Sequence, residues 1–553
     1  MKRKIWKHTS RGETVREFLL EKTGKTFTDL ANPTGRNFKR FEDAKKALEW
    51  ARDNNIFVIL VGDYDSDGEN SVMEMGLVLQ SMGIKFRVII PKREAEGYGL
   101  SWKILDRMGE GGMLICVDNG ITAIEQMKEA KNRGMFTMIL DHHTADEQLP
   151  DVDILIDPSA IGEADYHYYC GGGIVYRLAQ YILGDDHPLI PMISVFAAVA
   201  TIGDSVPLTG DNRQIVIEGM KNMKEFKGTN AMNSLLAKKK CGESTTARDI
   251  AFNIVPVLNA PERLEDGGAV KVCQTLIRKA NFEDGVEWLI NTNQNRKDLN
   301  ARVTDMIEKK PEIIDKYENI IVYGSKDMPL GIAGIIAGDL SQHKGKPTFI
   351  FGYDAEGNLK GSSRCNIPEL NLIQAIREHK EYLLGCGGHA GAAGLSLKPE
   401  NIDAFAKAMD EEIGKKKAEL IAQGVEIENN ANYTCWDVLM NDLNFNRVAK
   451  EVLDLEPCGQ EMPAPIVRIK SRLLGVSAFG GDNKDAPDES KPHIRFKFSN
   501  FTAIGFNMNG WYNEQLKLLG KAPRFADIVG TVTENIYNGT KSIQIRMDDF
   551  EIS

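Results

Sequence analysis

Four short clusters hold residues that could do chemistry together. Gly62-Asp63-Tyr64-Asp65-Ser66-Asp67-Gly68 puts three carboxylates within five residues. Val117-Asp118-Asn119-Gly120 adds one carboxylate, and Gly203-Asp204-Ser205-Val206-Pro207-Leu208 another. Leu140-Asp141-His142-His143-Thr144 sets a carboxylate beside two imidazoles. Aspartates this close repel one another unless a cation sits between them. Carboxylates with imidazole suit Mn2+, Mg2+ or a related cation. Each piece alone has a plainer reading. A lone D-x-D is usually a cap or turn, and a lone His-His pair is usually structural. The D-x-D-x-D-G run also matches the start of a calcium loop. The twelfth position from Asp63 is Glu74, however, inside an apolar helical stretch with Met73, Met75 and Leu77, so no calcium loop is expected. Four such clusters at successive chain positions point instead to a two-metal site.

The segments around them predict the scaffold. Apolar runs at 56–61, 86–90, 113–117, 136–140 and 154–156 read as strands. Helical patterns at 41–52, 72–82 and 123–133 lie among them. Continuous apolar strands alternating with helices predict a parallel sheet covered on both faces. Functional sites in such sheets lie beyond the carboxyl ends of the strands, where three of the four clusters fall. Residues 175–255 read as mostly helical, and 271–308 as one long helix. A strand-helix alternation restarts at 319–323 and runs to about 415, where Lys415-Lys416-Lys417 opens a polar boundary. From about 464 short strands with turn signals, Gly480-Gly481-Asp482-Asn483 and Asn538-Gly539 among them, predict a small β-barrel.

The chain has 553 residues, enough for about three or four domains. Hydrophobic residues make up 42% and charged residues 27%, close to a globular average, which excludes broad disorder. No apolar run approaches the roughly 18 residues of a membrane span, so no membrane association is expected. Met1-Lys2-Arg3-Lys4-Ile5-Trp6 has no apolar stretch behind it, and no signal peptide is expected. The net charge of −11 argues against a passive nucleic-acid coat but leaves room for a local basic groove. The eight cysteines are scattered, with no C-x-x-C pair, which fits a reducing cytoplasm better than a disulfide framework.

In order, the four clusters resemble the motifs of the DHH phosphoesterases. Gly385-Cys386-Gly387-Gly388-His389-Ala390-Gly391-Ala392-Ala393-Gly394 is similar to the signature of the associated DHHA1 domain. The RecJ branch of the family is matched in particular by Pro91-Lys92-Arg93 with Glu96-Gly97-Tyr98-Gly99-Leu100, and by Leu258-Asn259-Ala260 through Arg263-Leu264. Lys360-Gly361-Ser362-Ser363-Arg364 and Leu455-Glu456-Pro457-Cys458-Gly459 match it as well. The resemblance covers about 50–550. The chain departs from the pattern at Cys386, Cys365, Met328-Pro329 and Pro261-Glu262. None of these removes an implied metal ligand.

The resemblance implies an α/β fold in which a parallel-sheet DHH domain is joined by a long helix to a smaller α/β DHHA1 domain. A C-terminal β-barrel, OB-like, follows. The expected divisions are an extension at 1–50, the DHH domain at 51–270, the connector at 271–310, DHHA1 at 311–420, a linker at 421–463 and the OB-like domain at 464–553. Asp65, Asp67, Asp118, His142 and Asp204 become metal ligands, with Asp63 either a further ligand or a group that holds the ligands. Two divalent cations, Mn2+ or Mg2+, are implied, able to acidify a water and to neutralise charge on phosphorus. His143 faces the scissile phosphate or its leaving group, and Asp141 orients the imidazoles. Ser362 and Arg364 are implied to receive a 5′-phosphate with help from Arg93 and Arg263, which would otherwise be surface salt bridges. Gly387, Gly388 and His389 are expected to form a loop whose N–H groups approach phosphate, the plainer alternative being a tight turn. In the terminal region Arg468, Lys470, Arg472, Arg495 and Lys497 with Phe479, Phe496, Phe498 and Trp511 fit either a strand-binding face or a packed core.

The resemblance thus implies a metal-dependent 5′→3′ exonuclease that degrades single-stranded DNA to 5′-mononucleotides. Its setting would be repair, recombination or replication in a bacterial cytoplasm, from a host or phage gene. A helicase and a single-strand-binding protein are its expected partners, and a monomer is the expected state. Two rivals are a DHH phosphodiesterase for short oligonucleotides or cyclic dinucleotides, and a non-catalytic DNA-binding scaffold. The region after 460 argues against the first rival, and the intact ligand set against the second.

Overall fold

The computed structural model describes residues 5–10, 12–31, 36–145, 147–424, 433–481, 488–537 and 540–553. The first sheet has five strands, all parallel, in the spatial order Phe86–Ile89, Val58–Val61, Met113–Val117, Phe136–Leu140, Ile154–Ile156. Helices pack on both faces, so Val58–Val61 and Met113–Val117 are buried at every position. Chain order reverses between those two strands. A crevice therefore opens beyond their carboxyl ends, and the first two acidic clusters lie there.

The helix expected at 72–82 begins earlier, at Ser66–Ser81. Asp65 is its N-cap, accepting the N–H groups of Asp67 and Gly68, so the aspartate run enters the first helical turn. No calcium loop forms there. Opposite it, the helix Gly171–Leu183 is anchored by a buried fork from Arg177 to Asp211, with N–O distances of 2.7 and 2.8 Å.

The long helix expected at 271–308 is two helices, Gly268–Leu276 and Glu283–Glu308. Asn281 adopts a left-handed backbone (φ +55°) in the turn between them. Glu283–Glu308 leads to the second lobe. There five strands stand in the order Leu383–His389, Ala392–Leu397, Leu359–Arg364, Thr348–Tyr353, Ile321–Gly324. The helix Leu330–Lys344 packs on this sheet, and Gly331 lies so close to Arg263 that a Cβ would sit 2.1 Å from its carbonyl oxygen.

The C-terminal region forms a seven-stranded sheet, and its edge strand Val438–Met440 comes from the stretch expected to be linker. The turns expected around Asp482-Asn483 and Asn538-Gly539 lie outside the described residues. The N-terminal extension does not stand alone. Ile5–His8 pairs in parallel with Tyr433–Trp436, and Trp6 donates from Nε1 to Asp549 at 2.7 Å. Arg213 donates to the carbonyls of Pro457 (2.7 Å) and Glu456 (2.8 Å), tying this region to the first domain. Among the described residues no helix is long and apolar enough to cross a membrane.

Candidate active site

The four acidic clusters meet at one place. His142 Nε2 lies 3.1 Å from Asp118 Oδ1 and 3.7 Å from both Asp67 Oδ2 and Asp204 Oδ2. Asp67, His142 and Asp204 form one group of ligand atoms within 4.8 Å of one another, and Asp63, Asp65 and Asp118 form a second. Asp118 touches both groups through His142. It sits in a left-handed backbone (φ +59°) directly after its strand, which swings its carboxylate into the crevice.

Backbone N–H groups hold these carboxylates in place. Asp67 accepts from Gly171 and Gly172, each at 2.8 Å, at the amino end of the Gly171–Leu183 helix. A Cβ on Gly171 would lie 2.6 Å from Asp118 Cβ, so glycine is needed for the approach. Asn259 Oδ1 accepts the Ser66 N–H at 2.8 Å. The Cys170-Gly171-Gly172-Gly173 run is plain in the sequence, but nothing there names the aspartate it serves.

Burial, reinforced by Asp67, Asp65, Asp63 and Asp204, pushes the Asp118 carboxyl well above its ordinary range. Burial and the Asp65 charge do the same to Asp63, whose Oδ1 is buried with no hydrogen-bond partner. Asp204 is pushed up to about 8 by burial and then by Asp67 and Asp65. Buried carboxylates that repel one another, one with an orphaned oxygen, are what a cation would relieve. Four or five aspartates with one imidazole suit Mn2+ or Mg2+. The donor set fits two such ions.

Asp141 stands behind the imidazoles. It accepts from the N–H of Ile121 (2.9 Å) and of His142 (2.8 Å), and its Oδ1 lies 2.7 Å from His143 Nδ1. Burial pulls the His143 ring down, but the bond to Asp141 and the charges of Asp141, Asp204 and Asp67 outweigh it and carry the ring up to about 9.

Arginines gather beside the acids. Arg263 donates to the Gly331 carbonyl at 3.1 Å, and the Arg93 guanidinium lies 5.4 Å over the Tyr64 ring. Arg364 donates to the Ser363 carbonyl at 2.9 Å. A Cβ on Gly334 would meet Arg364 at 2.9 Å and Ser362 Oγ at 3.3 Å, so the two side chains share one spot. Burial and then the nearby Arg93, Arg296 and Arg364 bring Arg263 down to about 10. Nothing in the sequence singles out Arg296; the long helix carries it to the cluster, where Asn293 Oδ1 accepts from it at 3.0 and 3.1 Å. Among the described residues none of these four guanidinium groups has a carboxylate within ion-pair distance. The salt-bridge alternative therefore fails for Arg93, Arg263 and Arg364.

Gly387, Gly388 and His389 are not a loop. They end the edge strand Leu383–His389, paired with Gly394, Ala393 and Ala392. Gly388 has φ +143°, and a Cβ there would lie 2.3 Å from the Ala392 oxygen, so the glycines serve strand pairing. Among the described residues no hydrogen bond or ion pair joins these three to the acidic cluster or to the arginines.

In the C-terminal sheet Phe496 and Phe498 are core. Arg468 pairs with Asp527 at 2.9 Å, 5.0 Å from the Trp6 ring and 5.5 Å from the Trp436 ring. A different surface is open. A groove of about 900 Å³ runs from Ser205, beside Asp204, between the first domain and this sheet. Lys239, Lys240, Arg248 and Arg546 line it, with Phe252 (62% exposed) and Phe506 (53% exposed). The Arg248 guanidinium stacks over Phe252 at 4.9 Å.

Three family models match the chain: the DHH family, N-terminal domain, at 57–203; the DHHA1 domain at 317–415; and the RecJ OB domain at 437–549. The chain is similar to the single-stranded-DNA-specific exonuclease RecJ of Bacillus subtilis strain 168, with 28% identity over 554 residues. That match takes in 98% of this chain and 66% of the relative, so the chain spans about two thirds of that protein's length. The enzyme of the same name from Haemophilus influenzae is 25% identical, with 95% of this chain and 93% of the relative covered. Among solved structures, RecJ from Thermus thermophilus in complex with Mn2+ superposes with a TM-score of 0.75 at 22% identity, covering 97% of this chain and 75% of that one.

Proposed function

We propose a function on one premise: the chain belongs to the RecJ-type branch of the DHH/DHHA1 phosphoesterases. It is a metal-dependent exonuclease that removes 5′-mononucleotides from the 5′ end of single-stranded DNA. One observation carries this reading: a cluster of cation ligands abuts four arginines that, among the described residues, lack ion pairs. Such a pair of surfaces suits a terminal phosphate on one side and a scissile phosphodiester on the other.

Asp65, Asp67, Asp118, His142 and Asp204, with Asp63, would hold two divalent cations, Mn2+ or Mg2+. When bound, the ions supply an acidified water and neutralise charge developing on phosphorus. The chain's own residues do the rest. Arg93, Arg263, Arg296 and Arg364 with Ser362 bind the 5′-phosphate and set the strand's register. Gly171 and Gly172 fix Asp67. Asp141 orients His143, which delivers a proton to the 3′-oxygen of the departing nucleotide. Gly387, Gly388 and His389 are proposed to border the bound strand from their exposed edge.

The groove along Arg248, Phe252 and Phe506 supports a long strand over a short oligonucleotide or a cyclic dinucleotide, because stacking aromatics beside cations suit successive bases. A helicase would present duplex DNA as a single strand, with a single-strand-binding protein covering what is exposed. The cytoplasm, where the free thiols stay reduced, is the proposed setting.

The test is product analysis on a 5′-phosphorylated single strand labelled at its 3′ end, with Mn2+, with Mg2+ and with EDTA. Mononucleotides, shortening from the 5′ end and silence in EDTA are expected. Long strands that survive while di- to pentanucleotides vanish overturn the reading, as does binding without cleavage.

A further inference from the structure

We propose that Glu262 is a positioning residue for the 5′-phosphate site: its carboxylate bridges two backbone N–H groups and so holds Arg93 beside Arg263. The proposal rests on the exonuclease reading above. Glu262 Oε1 accepts the N–H of Arg93 at 2.9 Å, and Oε2 accepts the N–H of Ala269 at 3.1 Å. The side chain is buried. Asp266 accepts the next two N–H groups of the same loop, from Glu94 at 2.8 Å and from Ala95 at 2.9 Å. Two carboxylates thus take up three consecutive N–H groups, and the loop that carries Arg93 is fixed through its backbone. Glu262 is also one of the positions at which the chain departs from the pattern it resembles.

A glutamate beside arginines ordinarily pairs with a guanidinium. Among the described residues Glu262 has no ion pair, and each of its oxygens accepts from a backbone N–H instead. The guanidinium groups of Arg93 and Arg263 therefore stay available to a phosphate. Burial first, and the charge of Arg93 next, lower Arg263, so the two cations repel each other. A backbone tie keeps them together before any phosphate arrives, and the cost falls on folding rather than on binding. Arg263 follows Glu262 in the short helix Ala260–Leu264, so the tie fixes the backbone of one arginine against that of the other. That helix is wedged in place. A Cβ on Gly268 would lie 2.5 Å from the Pro261 carbonyl carbon, at the start of the Gly268–Leu276 helix. The close approach of Gly331 holds the other side, from the second lobe.

A terminal phosphate is more highly charged than a phosphate inside the strand, and it offers more free oxygens. Guanidinium groups held at a fixed spacing suit it, because each can bond two oxygens at once. A released Arg93 loop would lose that spacing. The consequence is weaker recognition of the terminal phosphate, with the cleavage step itself spared.

The experiment compares the wild-type chain with Glu262→Ala and Asp266→Ala, in Mn2+, on one single strand bearing either a 5′-phosphate or a 5′-hydroxyl. Glu262→Ala is expected to raise KM for the phosphorylated strand about tenfold, with kcat within about twofold. KM for the 5′-hydroxyl strand should change by less than about twofold. Asp266 is exposed, so Asp266→Ala leaves the buried packing alone. It should raise the same KM and spare the 5′-hydroxyl strand. In an Arg93→Ala background neither substitution should raise KM further. Equal rises on both strands, a loss confined to kcat, or a rise that adds to that of Arg93→Ala overturns the proposal and leaves the exonuclease reading standing. If Glu262→Ala shows no thermal transition, Asp266→Ala decides by the same criteria. A wild-type chain that cuts both strands with one KM overturns the phosphate site and this proposal, while cleavage stands. A wild-type chain that cuts neither overturns the exonuclease reading and the proposal with it.

Discussion

Asp65 caps the helix that carries Asp67: its Oδ1 accepts the Asp67 N–H at 3.0 Å and the Gly68 N–H at 3.1 Å. One oxygen of Asp65 is therefore spent on the fold, and the other is free for a cation. Asp67 in turn accepts both glycine N–H groups from the facing helix. The acidic cluster is a set of helix-end contacts turned inward, which is why three aspartates can be fixed in five residues.

Asp65→Asn and Asp65→Ala separate the two roles. Asparagine caps a helix as well as aspartate does, so Asp65→Asn should keep the melting temperature while lowering kcat at least a hundredfold. Asp65→Ala should lose both, with a stability cost of about 1 kcal/mol. Thermal melts beside single-turnover cleavage check this; an active Asp65→Asn variant would remove Asp65 from the ligand set.

Metal should be legible in stability without any turnover. Burying Asp118, and then setting it among like charges, costs folding free energy that bound Mn2+ returns. Mn2+ should raise the melting temperature of the wild-type chain by several degrees. Asp118→Asn should melt higher than wild type in EDTA and gain almost nothing from Mn2+. Differential scanning calorimetry with and without Mn2+ decides this.

Much of this arrangement is readable in the sequence alone. The strand ends after Val61, Val117 and Leu140 mark where Asp63, Asp118 and Asp141 project, because parallel strands expose their carboxyl ends together. The start of the Ser66–Ser81 helix is hidden because the cap competes with a loop reading of the same aspartates. Arg296 is hidden because it lies in a long polar-apolar helix whose inward face depends on the second lobe. Gly387 and Gly388 read as a phosphate loop because a glycine run signals either close backbone approach or irregular pairing, and only the register with Ala392 and Ala393 distinguishes them. Phe496 and Phe498 alternate with basic residues, a pattern shared by a binding face and a strand with one buried side.

The arginine cluster should discriminate terminal phosphate. Arg364→Ala and Arg296→Ala should each raise KM for 5′-phosphorylated strands about tenfold, and change KM for 5′-hydroxyl strands by less than about twofold. A tenfold loss is about 1.4 kcal/mol, near the low end for one charge-assisted contact. Steady-state kinetics on the two strands measures it. An equal effect on both would make these arginines supports for the fold.

The groove from Ser205 past Phe252 to Phe506 predicts a dependence on strand length. Each exposed ring can stack one base, worth roughly 1–3 kcal/mol, and Arg248 keeps the Phe252 ring in place while adding charge. Phe252→Ala with Phe506→Ala should therefore raise KM for strands of about twenty nucleotides or more at least tenfold. Strands too short to leave the metal cluster never reach the rings, and their kcat and KM should stay within about twofold of wild type. The affected rate should also fall less steeply with salt in Arg248→Ala, since one phosphate contact fewer releases one counterion fewer. Cleavage of a ladder of strand lengths measures all three. A uniform loss at every length would place the downstream strand elsewhere on the molecule, with Phe252 and Phe506 left as exposed rings beside it.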